Sequence, residues 1–241
     1  MGKTLLVIGA SSEMGVATIR EVQEQYEHIY AHYNHMNDML RELFDELAGK
    51  IIGFPADLLD EAAVDGMIDS LRTMPDSPDH IVHFPAGFIE TRKFHKTKWS
   101  TFQTSIDISV RSLCKVLGAF LPAMEKKKAG KIVVMLSMVV HNMPPKYNSD
   151  YVMTKYALLG LVKSLAVEYG EKGITVNGVS PSLVETKFVS HLHEFIIQQN
   201  AENSPTGKNL QVGDVVPAIH FLLSEGADCI NGQNILVTCG R

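Results

Sequence analysis

Leu5-Leu6-Val7-Ile8-Gly9-Ala10-Ser11-Ser12-Glu13-Met14-Gly15 decides how this chain folds. A short apolar run that ends in a glycine-bearing turn reads as a buried strand feeding a helix. Gly9 and Gly15 let the backbone turn sharply and approach a ligand, while the hydroxyls of Ser11 and Ser12 offer hydrogen bonds to phosphate oxygens. The N–H groups at the start of the next helix, around Met14, are placed to receive a pyrophosphate. An ordinary tight strand-to-helix turn has the same look, so the rest of the chain decides between the two.

Outward from this turn, short apolar runs alternate with amphipathic stretches. Strands are predicted at 4–8, 28–32, 51–54, 79–83, 131–136, 174–179 and 234–238, and helices near 14–26, 36–47, 60–73, 99–126, 151–170 and 212–223. That rhythm predicts an α/β fold: a doubly wound, mostly parallel seven-stranded sheet with helices on both faces, the Rossmann arrangement, in a single domain spanning 1–241. The stretch 187–211, with patchy apolar residues and Asn203-Ser204-Pro205-Thr206-Gly207, breaks the rhythm and reads as a mobile substrate lid with short helices.

Composition narrows the function classes. The 241 residues are 45% hydrophobic and carry a formal net charge of −5, so there is no global positive field for nucleic acid or anionic lipid, and a small-molecule partner is expected. Cys114, Cys229 and Cys239 form no CxxC pair, which predicts reduced thiols packed as small hydrophobes in a cytoplasmic protein. The N-terminal apolar run is too short for a signal peptide or a membrane span. His191-x-His193 lacks a partner cluster, so no metal site is expected, and Lys126-Lys127-Lys128 reads as the solvated end of a helix.

Several polar residues fall at strand ends, where open α/β sheets bind ligands. Asp57-Leu58 follows the third strand, where a carboxylate can accept from an adenine amino group, although Asp57 would serve equally as a helix cap. Ala86-Gly87 gives close access after the fourth strand, or is simply a loop. Tyr151 and Lys155, four residues apart, share one helix face. A nearby ammonium is expected to lower the phenol pKa and make it a better acid or base. Ser137 closes the fifth strand, facing the same crevice, where its hydroxyl would polarise a substrate carbonyl.

In that order these motifs resemble the short-chain dehydrogenase/reductase family over nearly the whole chain, with the 3-oxoacyl reductases the most similar branch. The glycine turn Gly9–Gly15, Asp57, Ala86-Gly87, Ser137 and Tyr151-xxx-Lys155 all resemble family motifs. So does Val176-Asn177-Gly178-Val179-Ser180-Pro181-Ser182-Leu183-Val184-Glu185-Thr186, and so does Ile230-Asn231-Gly232-Gln233. The resemblance implies that Tyr151 is the general acid/base and that Lys155 grips the nicotinamide ribose. Ser137 would orient the carbonyl, and Pro181, Val184 and Thr186 would close over the nicotinamide. The implied reaction is hydride transfer between NAD(P)H and a carbonyl or secondary alcohol. The implied assembly is a homotetramer or homodimer built on helices 99–126 and 151–170.

The chain also departs from the family. Ile8 replaces a threonine, Glu13 replaces the middle glycine beside the pyrophosphate, Phe84-Pro85 replaces an Asn-Asn pair, and Ser182 replaces a glycine. Ser109 aligns with the helix asparagine that orders a relay water, as a fourth catalytic candidate. The second strand runs out through His32-Tyr33-Asn34-His35 with no acidic residue to bind the adenosine 2′-hydroxyl. This favours NADP(H) over NAD(H), with Tyr33 and Asn34 at the adenosine end and His32 and His35 as candidate cations. Intact Ser137, Tyr151 and Lys155 favour an active oxidoreductase. The departures taken together leave a catalytically weak cofactor-binding or scaffolding relative as the alternative.

Overall fold

The computed structural model describes residues 2–240. Seven strands, β1 (Lys3–Ile8), β2 (Tyr26–Tyr33), β3 (Ile51–Pro55), β4 (His80–His83), β5 (Gly130–Met135), β6 (Ile174–Pro181) and β7 (Asn234–Val237), form one sheet in the order β3-β2-β1-β4-β5-β6-β7. Every pairing is parallel. The sheet is therefore wholly parallel, as its continuous apolar strands require, because both faces must be covered.

Strand alternation builds a core on each face. Leu6, Ile8, Ile81, Ile132 and Val134 pack on one side, against α3 (Glu61–Arg72), α5 (Ser112–Lys127) and α6 (Ser149–Tyr169). Leu5, Val7, Val82, Val133 and Met135 pack on the other, against α1 (Glu13–Val22), α2 (Asp38–Glu46) and α8 (Val212–Leu223). The remaining helices are α4 (Trp99–Ile106) and α7 (Glu194–Glu202), the latter inside the 187–211 stretch.

The helix predicted over 99–126 is interrupted. A π-helical turn at Asp107–Arg111 separates α4 from α5, and Ser112 Oγ bonds back to the Ile108 carbonyl there. Such a turn inserts an extra residue into the helix and re-aims the side chains it carries. The 187–211 stretch is tied at its far end: Leu210 pairs with Val184, and Asn209 Nδ2 donates to Glu185 Oε1 at 3.1 Å and to the Ile197 carbonyl at 3.0 Å. The three cysteines are exposed, not packed as core hydrophobes: Cys114 lies on α5, and Cys229 and Cys239 flank β7. No described helix is long and apolar enough to cross a membrane.

Candidate active site

The strand order reverses between β1 and β4, which opens a crevice beyond their C-terminal ends. Gly9 sits at its floor with φ +84°, and a Cβ there would meet Phe84 Cβ at 3.3 Å and Pro85 Cδ at 3.4 Å. Phe84-Pro85 thus packs directly under the glycine turn, while the Phe84 N–H still donates to the Ile8 carbonyl at 3.0 Å. At Gly15 a Cβ would lie 2.6 Å from the Gly9 carbonyl oxygen, so this position admits only glycine without a backbone shift.

Ser12 Oγ accepts from the Gly15 N–H at 3.0 Å and donates to the Gly9 carbonyl at 2.8 Å, capping α1. Its hydroxyl is thus committed to the turn, not held out for a phosphate as the sequence suggests. The cap leaves the N–H groups of Glu13 and Met14 at the open, positive helix end. Asn37, which the sequence reading passes over, donates from Nδ2 to the Ser11 carbonyl at 2.8 Å while capping α2.

His32 is the linchpin of this region. Its Nδ1 accepts from the Gly9 N–H at 3.1 Å, and its Nε2 lies 3.1 Å from the Ala56 carbonyl, so one neutral tautomer satisfies both contacts. Burial holds its pKa down at about 4. His32 is therefore no cation for a 2′-phosphate, which corrects the sequence expectation. His35, Asn34 and, in part, Tyr33 remain accessible at the end of β2. Asp57 is exposed beyond β3, where its Oδ1 accepts from the Leu59 N–H at 2.9 Å, and α3 is capped by Asp60 instead. Arg111 donates to the Leu58 and Leu59 carbonyls, bracing this loop.

On the other side of the crevice, β5 delivers Ser137 and the first turns of α6 deliver Tyr151 and Lys155. The Ser137 hydroxyl stands close enough to the Tyr151 phenol to act on its acidity, while Ser137 Oγ accepts from the Val139 N–H at 3.4 Å. Lys155 Nζ lies 5.7 Å from the centre of the Tyr151 ring and donates to the Met135 carbonyl at 2.7 Å. The Tyr–Lys–Ser grouping expected from the sequence is therefore assembled. Its electrostatics differ from expectation. Burial raises the Tyr151 pKa, opposed by the Ser137 hydroxyl, and burial pulls Lys155 down to about 7. Desolvation is the leading cause at both side chains.

Ser109, carried on the π turn, is fully buried and its Oγ has no partner among the described residues. Against the next turn of that helix, at Ser112, lies a residue the sequence reading missed. His83, at the end of β4, is fully buried, and its Nε2 lies 3.2 Å from Ser112 Oγ. Burial and the Lys155 charge hold its pKa at about 3. The available signal was a histidine inside the continuous run Ile81-Val82-His83-Phe84.

Gly87 approaches α4 so closely that a Cβ would touch Ser105 Oγ, and neighbouring Ala86 completes this wall. Across the crevice, Pro181 ends β6, Ser182 donates its N–H to the Val237 carbonyl at 3.0 Å, and Thr186 Oγ1 donates to the Val184 carbonyl at 3.4 Å. His191 stacks on Phe88 with ring centres 3.8 Å apart and lies 2.7 Å from the Ile89 carbonyl, while His193 caps α7.

The family model described as enoyl-(acyl carrier protein) reductase matches residues 9–241. Oxidoreductase UcpA of Salmonella typhimurium is 29% identical over 219 residues, covering 90% of this chain and 81% of that protein. The 3-oxoacyl-[acyl-carrier-protein] reductase FabG of Staphylococcus aureus is 27% identical over 243 residues, covering 100% and 98%. Among solved structures, ElxO with NADP bound superposes with a TM-score of 0.88 at 24% identity, covering 100% of this chain and 98% of that one. With the parallel sheet, the glycine turn and the Ser137–Tyr151–Lys155 grouping in place, the chain belongs to the short-chain dehydrogenase/reductase family of NAD(P)-dependent oxidoreductases.

Proposed function

We propose that Ser137, Tyr151 and Lys155 carry reversible hydride transfer between NADP(H) and a carbonyl or secondary alcohol. The single observation behind this is the convergence of those side chains at the C-terminal end of β5, on the same edge of the sheet as the glycine turn.

The residues fit a dinucleotide. Gly15 leaves no room for a side chain and Gly9 holds a left-handed backbone, so the turn keeps its main chain open to the crevice at the positive end of α1. Gly9, Ser11, Met14 and Gly15 would hold the pyrophosphate, Tyr33 and Asn34 the adenosine ribose, and Asp57-Leu58 the adenine. Ala86, Gly87, Lys155, Pro181, Val184 and Thr186 would surround the nicotinamide end. When bound, the nicotinamide supplies or takes the hydride. The protein's own part is to hold the substrate oxygen against the Ser137 hydroxyl and to deliver or remove a proton at Tyr151 Oη. A ribose hydroxyl at Lys155 would replace the Met135 carbonyl as its partner. NADP(H) is preferred because no carboxylate ends β2 and His35 stands exposed there.

The 187–211 stretch then acts as the substrate lid. Exposed Trp99, Tyr156 and Val167 on α4 and α6 support assembly into a homotetramer or homodimer, and the three unpaired thiols fit a reducing cytoplasm. The test is consumption of NADPH across a panel of carbonyl compounds. Tyr151→Phe should lose at least about a hundredfold in turnover while still binding the cofactor. Equal turnover in wild type and variant would refute the assignment.

A further inference from the structure

Two loops close on each other beside the active site. The Arg92 N–H donates to the Tyr147 carbonyl at 2.8 Å, pinning the stretch after β4 to the stretch before α6. Beside this clasp lies an open cavity of about 400 Å³ lined by Lys93, Phe94, His95, Lys146, Tyr147 and Ser149. Its walls carry two ammonium groups and an imidazole and no carboxylate, in a chain whose net charge is −5. Neither Lys93 nor Lys146 has an ion-pair partner among the described residues, whereas neighbouring Arg92 is already paired with Glu90.

The positive end of the 21-residue helix α6 opens onto the same cavity. Its cap residue Asn148 makes no side-chain cap bond, and Asn148 Oδ1 and Ser149 Oγ are both buried without a partner. The one acid in the first turn, Asp150, is itself buried and accepts from Ser105 Oγ at 3.2 Å, away from the cavity. Tyr147 holds a left-handed backbone (φ +71°), a strain that non-glycine residues keep mainly where a site needs it. Unpaired ammonium groups and uncapped helix N–H groups together select an anionic oxygen group. Ser149 and Tyr151 stand on the same first turn of α6, about 3 Å apart along its axis although they project to different faces.

We propose that this cavity is an anion subsite that holds a carboxylate or phosphate of the substrate while its carbonyl or carbinol carbon lies at Ser137 and Tyr151. This makes anionic carbonyl compounds the substrate class, and it rests on the hydride-transfer reading above.

The test has a kinetic and a binding arm. In the first, 3-oxo carboxylates are compared with their methyl esters, and phosphorylated carbonyl compounds with their unphosphorylated forms, in NADPH-dependent reduction. The anionic member of one series should be favoured at least tenfold in kcat/KM, and the favoured series tells carboxylate from phosphate. In Lys93→Ala/Lys146→Ala that ratio should fall towards one. In the second arm, malonate and inorganic phosphate are titrated by NMR, following the backbone amides of Ser149 and Asp150, in wild type and in the double variant. Saturable shifts in wild type alone support the subsite even if no carbonyl is turned over, in which case only the hydride reading fails. Neutral and anionic substrates used alike, or a ratio unmoved in the double variant, overturns the subsite and leaves the hydride reading standing. Amides that do not respond to either anion overturn it as well.

Discussion

The Glu13 carboxylate accepts a hydrogen bond from the Lys187 N–H at 2.8 Å, joining the open end of α1 to the segment that would cover the nicotinamide. An acid that sequence alone places awkwardly beside a pyrophosphate therefore has a partner 174 residues away. A dinucleotide must compete with that contact and with the carboxylate's charge. Glu13→Gly should bind NADPH roughly tenfold more tightly, the size of one charged hydrogen bond, and Glu13→Gln should fall between. Calorimetric titration of the three proteins checks this, and weaker binding by Glu13→Gly would mean that the contact assists closure.

Lys155 is a buried amine held at about 7 against an ordinary 10.5, so folding works against its charge. The unfolded chain holds more protons between those values, and wild-type stability should climb as pH rises through that window. Lys155→Met removes the burden. It should be more stable than wild type at pH 7 by roughly 1–4 kcal/mol, with the gap narrowing towards pH 10 and turnover abolished. Urea unfolding at a series of pH values measures it, and a less stable variant would contradict the burial argument.

Three buried imidazoles predict an acid-labile fold. His32 and His80 are held at about 4 and His83 at about 3, in each case chiefly by burial, against an ordinary 6.5. Because the folded values are depressed, their stability is complete above 6.5 and is lost as pH falls towards 4. At pH 5 each ring should cost about 2 kcal/mol, at 1.36 kcal/mol per unit. His83→Leu should remove about a third of the difference between urea midpoints at pH 7 and pH 5. An unchanged difference would show that this ring is not buried neutral.

Two glycines should respond with opposite signs. Gly15→Ala puts a methyl 2.6 Å from a backbone oxygen, so it should destabilise by about 1–3 kcal/mol and disrupt cofactor binding. Gly66→Ala, in exposed α3 with nothing within 4 Å, should stabilise by about 0.4–1 kcal/mol. Thermal melts of both variants decide, and a harmless Gly15→Ala would mean that the turn is looser than this geometry.

The seven strands were legible because each is a short apolar run bounded by turn residues, and the pairing of Tyr151 with Lys155 because helical spacing alone brings them to one face. Composition could not show the π turn, since it rests on the Ser112 N–H bonding back five residues to the Asp107 carbonyl. The neutral role of His32 was hidden for a related reason. Its partners, Gly9 and Ala56, come from different strand ends, and only the assembled sheet shows that the ring bridges them. The basic cavity joins residues 93–95 to 146–149 across irregular loops, where no periodicity marks a shared wall. The pKa direction at Tyr151 went against expectation because spacing reports proximity and says nothing of desolvation.

The central claim is that the glycine turn and the Tyr151–Lys155 edge together hold a nicotinamide dinucleotide. Nicotinamide fluorescence during separate titrations of the purified protein with NADPH and NADH tests it most directly. The account predicts saturable binding, tighter for NADPH, that is lost in Gly15→Ala. Binding of neither cofactor by wild type or by Glu13→Gly would contradict it.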